Sequence, residues 1–291
     1  MRLIFKDLYM LIFDKQADLT AHVKAHANPQ TSIGFVPTMG ALHQGHLSLL
    51  EASMQNNSLT VISIFVNPTQ FNNPEDLLKY PRTLENDLKL IAGVSSEILV
   101  FAPTVDDIYN GTTAAESYDF DGLENVMEGA FRPGHFDGVG TVVKRLFEIV
   151  KPHNAYFGEK DFQQVQIVKK LVQKHQIPVQ IITCPIYREA NGLAMSSRNQ
   201  RLTSQERKEA ELLYKTLLGA KDRFANHEPQ VVVNWVQQQF DSHPLFELEY
   251  FAIADEERLL PCHRKEEGVK YRAFIAVFAN KIRLIDTISL N

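Results

Sequence analysis

The sequence has only two cysteines, Cys184 and Cys262, far apart and without the spacing of a metal site. That excludes a disulfide framework and a structural zinc site, and both thiols are expected to be buried as small hydrophobic groups. No segment is a continuous apolar run of the roughly 18 residues that a membrane span needs. The apolar stretch from Leu8 to Phe13 follows two positive charges, but it lacks a small-residue cleavage site and is flanked by Asp7 and Asp14. It therefore does not read as a signal peptide. Residues 1–9 are expected to be a dispensable extension ahead of a fresh start at Met10 and a strand. Positive charge is also short: 30 Lys and Arg stand against 35 Asp and Glu, for a net charge of −5. A nucleic-acid footprint needs a basic stripe, and none is present, so neither nucleic acid nor membrane is an expected partner. Anionic ligands must be held by a few local cations and not by a global field. There is no internal repeat and no low-complexity tract. A cytoplasmic protein handling small molecules is the class that remains.

What the sequence does have is alternation. Apolar runs bounded by turn residues recur at 32–36, 60–66, 97–101, 155–157 and 179–183. They read as buried strands. Helix-period segments lie between them at 46–56, 84–92, 140–150 and 162–174. Strands and helices in alternation with short loops predict an α/β fold, a Rossmann-like doubly wound parallel sheet whose ligands bind at the carboxyl ends of the strands. After Thr183 the character changes. Thr203-Ser204-Gln205-Glu206 is a capping-box start for a helix over 203–224, and 231–240 reads as a second helix. Runs at 247–253, 271–278 and 281–285 follow as strands. The division predicted is a nucleotide-binding domain over 1–184 and a smaller α+β domain over 185–291, with Cys184-Pro185 as the boundary because proline disfavours a continuing central strand.

Three motifs carry chemistry. The first is Val36-Pro37-Thr38-Met39-Gly40-Ala41-Leu42-His43-Gln44-Gly45-His46, between a strand and a helix. A helix N-terminus offers N–H groups and partial positive charge to phosphate, and the glycines permit close backbone approach. His43 and His46, three apart, share a face and can donate to phosphate oxygens. A pair of satisfied surface histidines and a metal pair are the alternatives. The second is Met195-Ser196-Ser197-Arg198-Asn199, two hydroxyls and a guanidinium suited to phosphates; alone it is a common turn. The third is Ala155-Tyr156-Phe157-Gly158-Glu159-Lys160-Asp161-Phe162-Gln163-Gln164, which sets Lys160 at the carboxyl end of a strand. The alternative there is a solvated charge run at a helix start.

The first two loops together resemble the HIGH-like and KMSKS-like signatures of the nucleotidyl-transferase superfamily, with Arg198 where the second loop usually has lysine. With the third motif, and with Ile64-Phe65-Val66-Asn67-Pro68-Thr69-Gln70-Phe71, Tyr80-Pro81-Arg82-Thr83 and Glu128-Gly129-Ala130-Phe131-Arg132-Pro133-Gly134-His135-Phe136, the chain from about Met10 onward resembles the pantothenate synthetase (pantoate–β-alanine ligase) family. That resemblance implies an AMP-forming ligase. Pantoate carboxylate attacks the α-phosphorus of ATP to give pantoyl adenylate and pyrophosphate, and β-alanine then attacks the acyl carbon to give pantothenate and AMP.

It also implies roles. Met39, Gly40, Ala41, Leu42, His43, Gln44, Gly45 and His46 hold ATP, with His46 as proton donor and phosphate stabiliser. Gly158, Glu159, Lys160, Asp161, Met195, Ser196, Ser197 and Arg198 also contact ATP, with Lys160, both serines and Arg198 on phosphates, Asp161 on ribose and the Tyr187 backbone at adenine. Gln70 and Gln164 grip pantoate beside Pro37, and Arg132 orders the site; either glutamine could instead be a solvated polar residue. Mg²⁺ is expected on the phosphates with Asp87 as an indirect, water-mediated contact, or Asp87 is a solvated acid on its helix. The C-terminal domain and the 191–199 loop are expected to act as a lid, and the family implies a homodimer.

Asn191 and Asn86 depart from the acids common at those places, which bears on loop electrostatics and on the metal. The competing functions are a nucleotidyl transferase acting on a phosphate-bearing substrate, a tRNA-charging enzyme and a non-enzymatic nucleotide-binding module.

Overall fold

The computed structural model describes every residue except 1–9, 27 and 29; the proposed extension lies outside the described residues. In chain order the elements are β1 (Ile12–Phe13), α1 (Gln16–His26), β2 (Ile33–Thr38), α2 (Gln44–Asn56), β3 (Leu59–Ile64), α3 (Pro74–Lys79), α4 (Leu84–Val94), β4 (Leu99–Phe101), α5 (Val105–Tyr109), α6 (Met127–Phe131), α7 (His135–Val150), β5 (Asn154–Gly158), α8 (Phe162–Lys174), β6 (Gln180–Cys184), α9 (Ser204–Glu209), α10 (Glu211–Asn226), α11 (Pro229–Phe240), β7 (Phe246–Asp255), β8 (Tyr271–Ala279) and β9 (Ile282–Ser289). They form two compact units. The first contains the described residues up to Glu124, with Glu128–Gly158 and Gln164–Cys184; the second contains Asn125–Met127, Glu159–Gln163 and Pro185–Asn291.

In the first unit the strands form one parallel sheet in the order β1-β4-β3-β2-β5-β6. From β2 the chain moves outward through β3 to β4, then returns to the other side of β2 for β5 and β6. The strand order therefore reverses between β2 and β5, the place where open α/β sheets bind ligands at their carboxyl ends. The ladder from β2 to β3 runs the full length of β2, whereas β2 meets β5 only at Gly34 and Phe35. Pro37, which has no N–H, lies beyond that short ladder, so the two strands part toward their carboxyl ends. Strands covered on both faces are apolar throughout: Phe35, Val36, Val61, Ile62, Val100 and Ala155 are fully buried.

The second unit packs α10 and α11 against the antiparallel sheet β7-β8-β9, with Leu213, Leu217, Val232, Val236, Ile275 and Val277 at its centre. Thr203 forms the expected capping box: Glu206 N–H donates to Thr203 Oγ1 at 3.2 Å, and Thr203 N–H donates to Glu206 Oε2 at 2.7 Å. The helix it opens is shorter than predicted. It ends at Glu209, and a new helix starts after Ala210.

The two thiols differ. Cys184 is buried as expected, but Cys262 is only partly so, a correction to the sequence reading; its Sγ donates to Arg264 O at 3.5 Å. Burial pushes both thiols above their usual range, partly opposed for Cys262 by a hydrogen bond with Tyr271. Because the thiolate is the reactive form, neither should react readily with an aromatic disulfide reagent at pH 8 in the native protein, and both should react once it is unfolded. Rapid labelling of native Cys184 would contradict its placement.

Candidate active site

The loop leaving β2 is built by backbone conformation and one buried carboxylate. Thr38 Oγ1 accepts from Gly40 N–H at 3.2 Å and donates to Ser63 O at 2.7 Å. Gly40 (φ 81°) and Ala41 (φ 49°) both take left-handed conformations, which glycine adopts without strain and alanine does not. A Cβ at Gly40 would also lie 3.0 Å from Ile64 Cγ2 and 3.1 Å from Asp87 Oδ2. Asp87, in the first turn of α4, is fully buried. Its Oδ2 accepts from Ala41 N–H at 3.0 Å, and its Oδ1 accepts from Leu42 N–H at 2.8 Å and from Thr83 Oγ1 at 3.1 Å. The solvated-acid reading of Asp87 is therefore wrong: the carboxylate is an anchor for the loop. It also commits the N–H groups of two residues that the resemblance assigns to ATP. Asn86, by contrast, is exposed.

Helix α2 begins at Gln44, two residues before the sequence placed it, with His43 as its extended N-cap (φ −147°). His43 N–H donates to His46 Nδ1 at 3.3 Å, and His46 N–H returns to His43 O at 2.8 Å. The two rings lie 4.0 Å apart at 31°. A ring nitrogen that accepts leaves the imidazole proton on the other nitrogen, so His46 carries its N–H at Nε2. This is a hydrogen-bond donor in the first turn of a helix whose dipole favours anions. Both histidines are half-buried.

Gln70, in the Pro68–Gln70 turn after β3, is buried, not solvated. Asn67 Nδ2 donates to its Oε1 at 3.1 Å, and its own Nε2 reaches Met39 Sδ at 3.2 Å. Asn67 is itself fixed: it donates to Gly138 O at 3.1 Å and accepts from Tyr109 OH at 2.5 Å. The amide of Gln70 is thus polarised with its NH₂ toward Met39. His135 Nδ1 and Arg132 Nη2 meet Gln70 O at 2.8 and 3.5 Å, and Arg132 also lies 3.7 Å from Glu128. The turn packs so closely on α7 that a Cβ at Gly138 would lie 2.3 Å from Thr69 O. Gln164 is half-buried, three residues into α8. The supporting roles of Asn67, Tyr109 and His135 were not read from the sequence, although Asn67 and His135 stand inside quoted motifs.

The second unit holds the other loops. Gly158 closes β5, Glu159–Asp161 form a single 3-10 turn, and α8 runs over Phe162–Lys174, the bounds that the sequence predicted. Lys160 Nζ lies 3.5 Å from Asp161 Oδ2, with its side chain 16% exposed. Ser196 Oγ accepts from Arg198 N–H at 3.3 Å and caps the Ser197–Arg201 turn. Ser197 is buried; Met195 and Arg198 are half-buried. Tyr187 is exposed, and its carbonyl accepts from Met195 N–H at 2.9 Å.

Beneath this loop, Arg188 makes a bidentate pair with Asp286 at 2.6 and 3.0 Å, donates to Gly192 O at 3.0 Å and stacks 3.8 Å from the Tyr214 ring centroid. Burial raises the Asp286 carboxyl above the ordinary range, with Arg188 opposing it. Asn191 is used as an amide: it donates to Arg207 O at 2.9 Å and accepts from Leu193 N–H at 3.2 Å. A carboxylate could not make the first of these bonds.

Among the described residues, no three His, Cys, Asp or Glu side chains gather to hold a metal, and no helix is long and apolar enough to cross a membrane.

The comparison with known proteins decides the family. The sequence model of the pantoate-beta-alanine ligase family matches residues 11–289. The chain belongs to the pantoate–β-alanine ligase family. Membership makes it an enzyme and a ligase, bears out the resemblance drawn from the motifs and removes the three competing functions. It is 61% identical over 281 residues to a pantothenate synthetase of Flavobacterium psychrophilum, covering 97% of this chain and 100% of that one. With a pantothenate synthetase of Christiangramia forsetii it shares 51% over 282 residues, 97% of this chain and 100% of that one. The crystal structure of the Thermus thermophilus pantothenate synthetase superposes with a TM-score of 0.87 at 39% identity, over 96% of this chain and 99% of that one. That of the Francisella tularensis pantoate-beta-alanine ligase, complexed with beta-gamma ATP and β-alanine, gives 0.79 at 37%, over 97% and 98%. The Rossmann-like sheet with a smaller C-terminal α+β part is thus the fold of this ligase family.

Proposed function

We propose that this pantoate–β-alanine ligase works by ATP-dependent formation of pantoyl adenylate. Pantoate carboxylate attacks the α-phosphorus and pyrophosphate leaves; the β-alanine amine then attacks the acyl carbon, forming the amide and releasing AMP. The Francisella relative's complex with an ATP-type ligand and β-alanine supports two of the three substrates. The observation that carries the reading is the start of α2, where His46 is oriented by His43 N–H to keep a proton on Nε2. In this reading His46 donates to phosphate oxygen, with His43, Gln44 and Gly45 beside it. Because Ala41 and Leu42 N–H are held by Asp87, that part of the loop acts by shape and not by donation. Lys160, Ser196, Ser197 and Arg198 take phosphate oxygens, and Asp161 the ribose. Catalysis is then positioning plus stabilisation of charge in a site that excludes water, with no protein nucleophile.

The chain offers no metal cage of its own among the described residues. Mg²⁺, which prefers oxygen ligands and keeps several waters, would be held by phosphates and water and would supply charge neutralisation there. A cytoplasmic dimer completes the proposal, and sedimentation velocity tests the dimer.

Gln70 and Gln164 take pantoate, Gln70 through the NH₂ pole that Asn67 leaves it. Gln164→Ala should raise KM for pantoate roughly tenfold, the scale of losing a hydrogen bond to a charged group, with KM for ATP little changed. The reverse pattern would move Gln164 to the nucleotide. The reaction itself is tested by AMP release with ATP, Mg²⁺, pantoate and β-alanine, each omitted in turn. Release that continues without pantoate would end the proposal.

A further inference from the structure

One buried cation of the second unit has no part in the roles assigned above. Arg272, on β8, is only 4% exposed. Its Nη2 donates to Glu159 Oε1 at 2.7 Å and lies 2.9 Å from Glu256 Oε1, to which Nε also donates at 3.0 Å. The flat face of the same guanidinium covers the Phe162 ring, 4.2 Å from its centroid, and Phe162 packs in turn against Phe274, the second residue after Arg272 on β8. Glu159 and Phe162 are the residues on either side of Lys160 and Asp161. One side chain therefore grips both ends of the short turn that displays the lysine, by its fork at one end and by its face at the other.

We propose that Arg272 is a positioning residue for Lys160, setting where the turn between Glu159 and Phe162 presents the ammonium; this rests on the reading of Lys160 as a phosphate-binding cation. Three physical points support it. A single 3-10 turn has little stability of its own, so its geometry must come from what it is tied to. Lysine is a point charge on a flexible stem, so its placement depends on how firmly its backbone is held. Arg272 faces two carboxylates, so its own charge is matched and does not displace the phosphate partner of Lys160. Only a planar, five-donor cation can hold a carboxylate with its edge and a ring with its face at once. A lysine at this place would keep the charge and lose the geometry.

The test is a double-mutant cycle on the full-length enzyme, reading pantoate-dependent pyrophosphate release in single turnovers together with the KM values. Arg272→Lys should slow the chemical step about 10- to 100-fold, the scale on which misplacing a reacting or stabilising group acts. KM for pantoate should stay within about twofold, and the thermal midpoint should show that the protein is folded. Adding Arg272→Lys to Lys160→Ala should cost less than about twofold more, because a residue acting through another is non-additive with it. Should Arg272→Lys fail to fold, Glu159→Gln, which weakens the grip at one end, replaces it in the cycle. It should show a smaller loss with the same coupling.

Full activity in the folded variant, or losses that multiply independently, would overturn the role of Arg272 while leaving Lys160 in place. A Lys160→Ala enzyme within threefold of the parent would instead remove the role of Lys160, and the proposal with it.

Discussion

Replacing Lys160 with alanine should slow adenylate formation by on the order of 10²-fold or more, the scale of removing one preorganised charge-stabilising donor. The substitution removes a side chain that is mostly covered yet paired at 3.5 Å with a half-exposed aspartate, so little of the loss should come from folding. The lysine follows the carboxyl end of β5 by two residues, and α/β sheets bind their ligands at the carboxyl ends of their strands. Pentavalent phosphorus gathers negative charge on its oxygens and on the departing pyrophosphate, so a cation fixed there lowers the barrier more than it tightens binding. The rate constant of single-turnover adenylate formation should therefore fall far more than KM for pantoate rises. A loss under threefold would refute the assignment.

Removing the Asp87 carboxylate should be strongly destabilising. Its oxygens accept from Ala41 N–H, Leu42 N–H and Thr83 Oγ1 at a fully buried position. In Asp87→Ala two backbone donors lose their partner where water is absent, which costs about 2–5 kcal/mol. Those donors hold a loop with consecutive left-handed residues at Gly40 and Ala41, so the entry to α2 should loosen as well. Urea unfolding should report the stability loss, and KM for ATP should rise more than KM for either other substrate. Thr83→Ala, which removes only the side-chain donor, should cost about 1 kcal/mol. An Asp87→Ala protein as stable as the parent would show that the loop is held by something else.

The contrast between these two residues shows what the sequence displays. Lys160 was legible because it follows an apolar run that could only be a buried strand, so its place at a strand end came from pattern alone. The whole parallel sheet was legible for the same reason, as was the Thr203 capping box. Asp87 was not, because two of its three partners are backbone N–H groups of a loop about 46 residues away, and a backbone donor leaves no letter in a sequence. The true start of α2 was missed because histidine is not among the usual N-cap residues; here His43 and His46 cap each other. Helix α1 went unread because only Leu19 and Val23 of its length are buried, too few for a clear apolar stripe. The break at Ala210 is invisible because alanine is a strong helix former. Arg272 was passed over as one charge in a strand; its function depends on Glu159, more than a hundred residues earlier.

The most direct measurement is the exchange of labelled pyrophosphate into ATP by the intact enzyme. With Mg²⁺ and pantoate but without β-alanine, exchange should be rapid, because in the proposed mechanism forming pantoyl adenylate is a complete and reversible step. Without pantoate it should vanish. Exchange that appeared only when β-alanine was added would contradict an adenylate formed before the amine reacts.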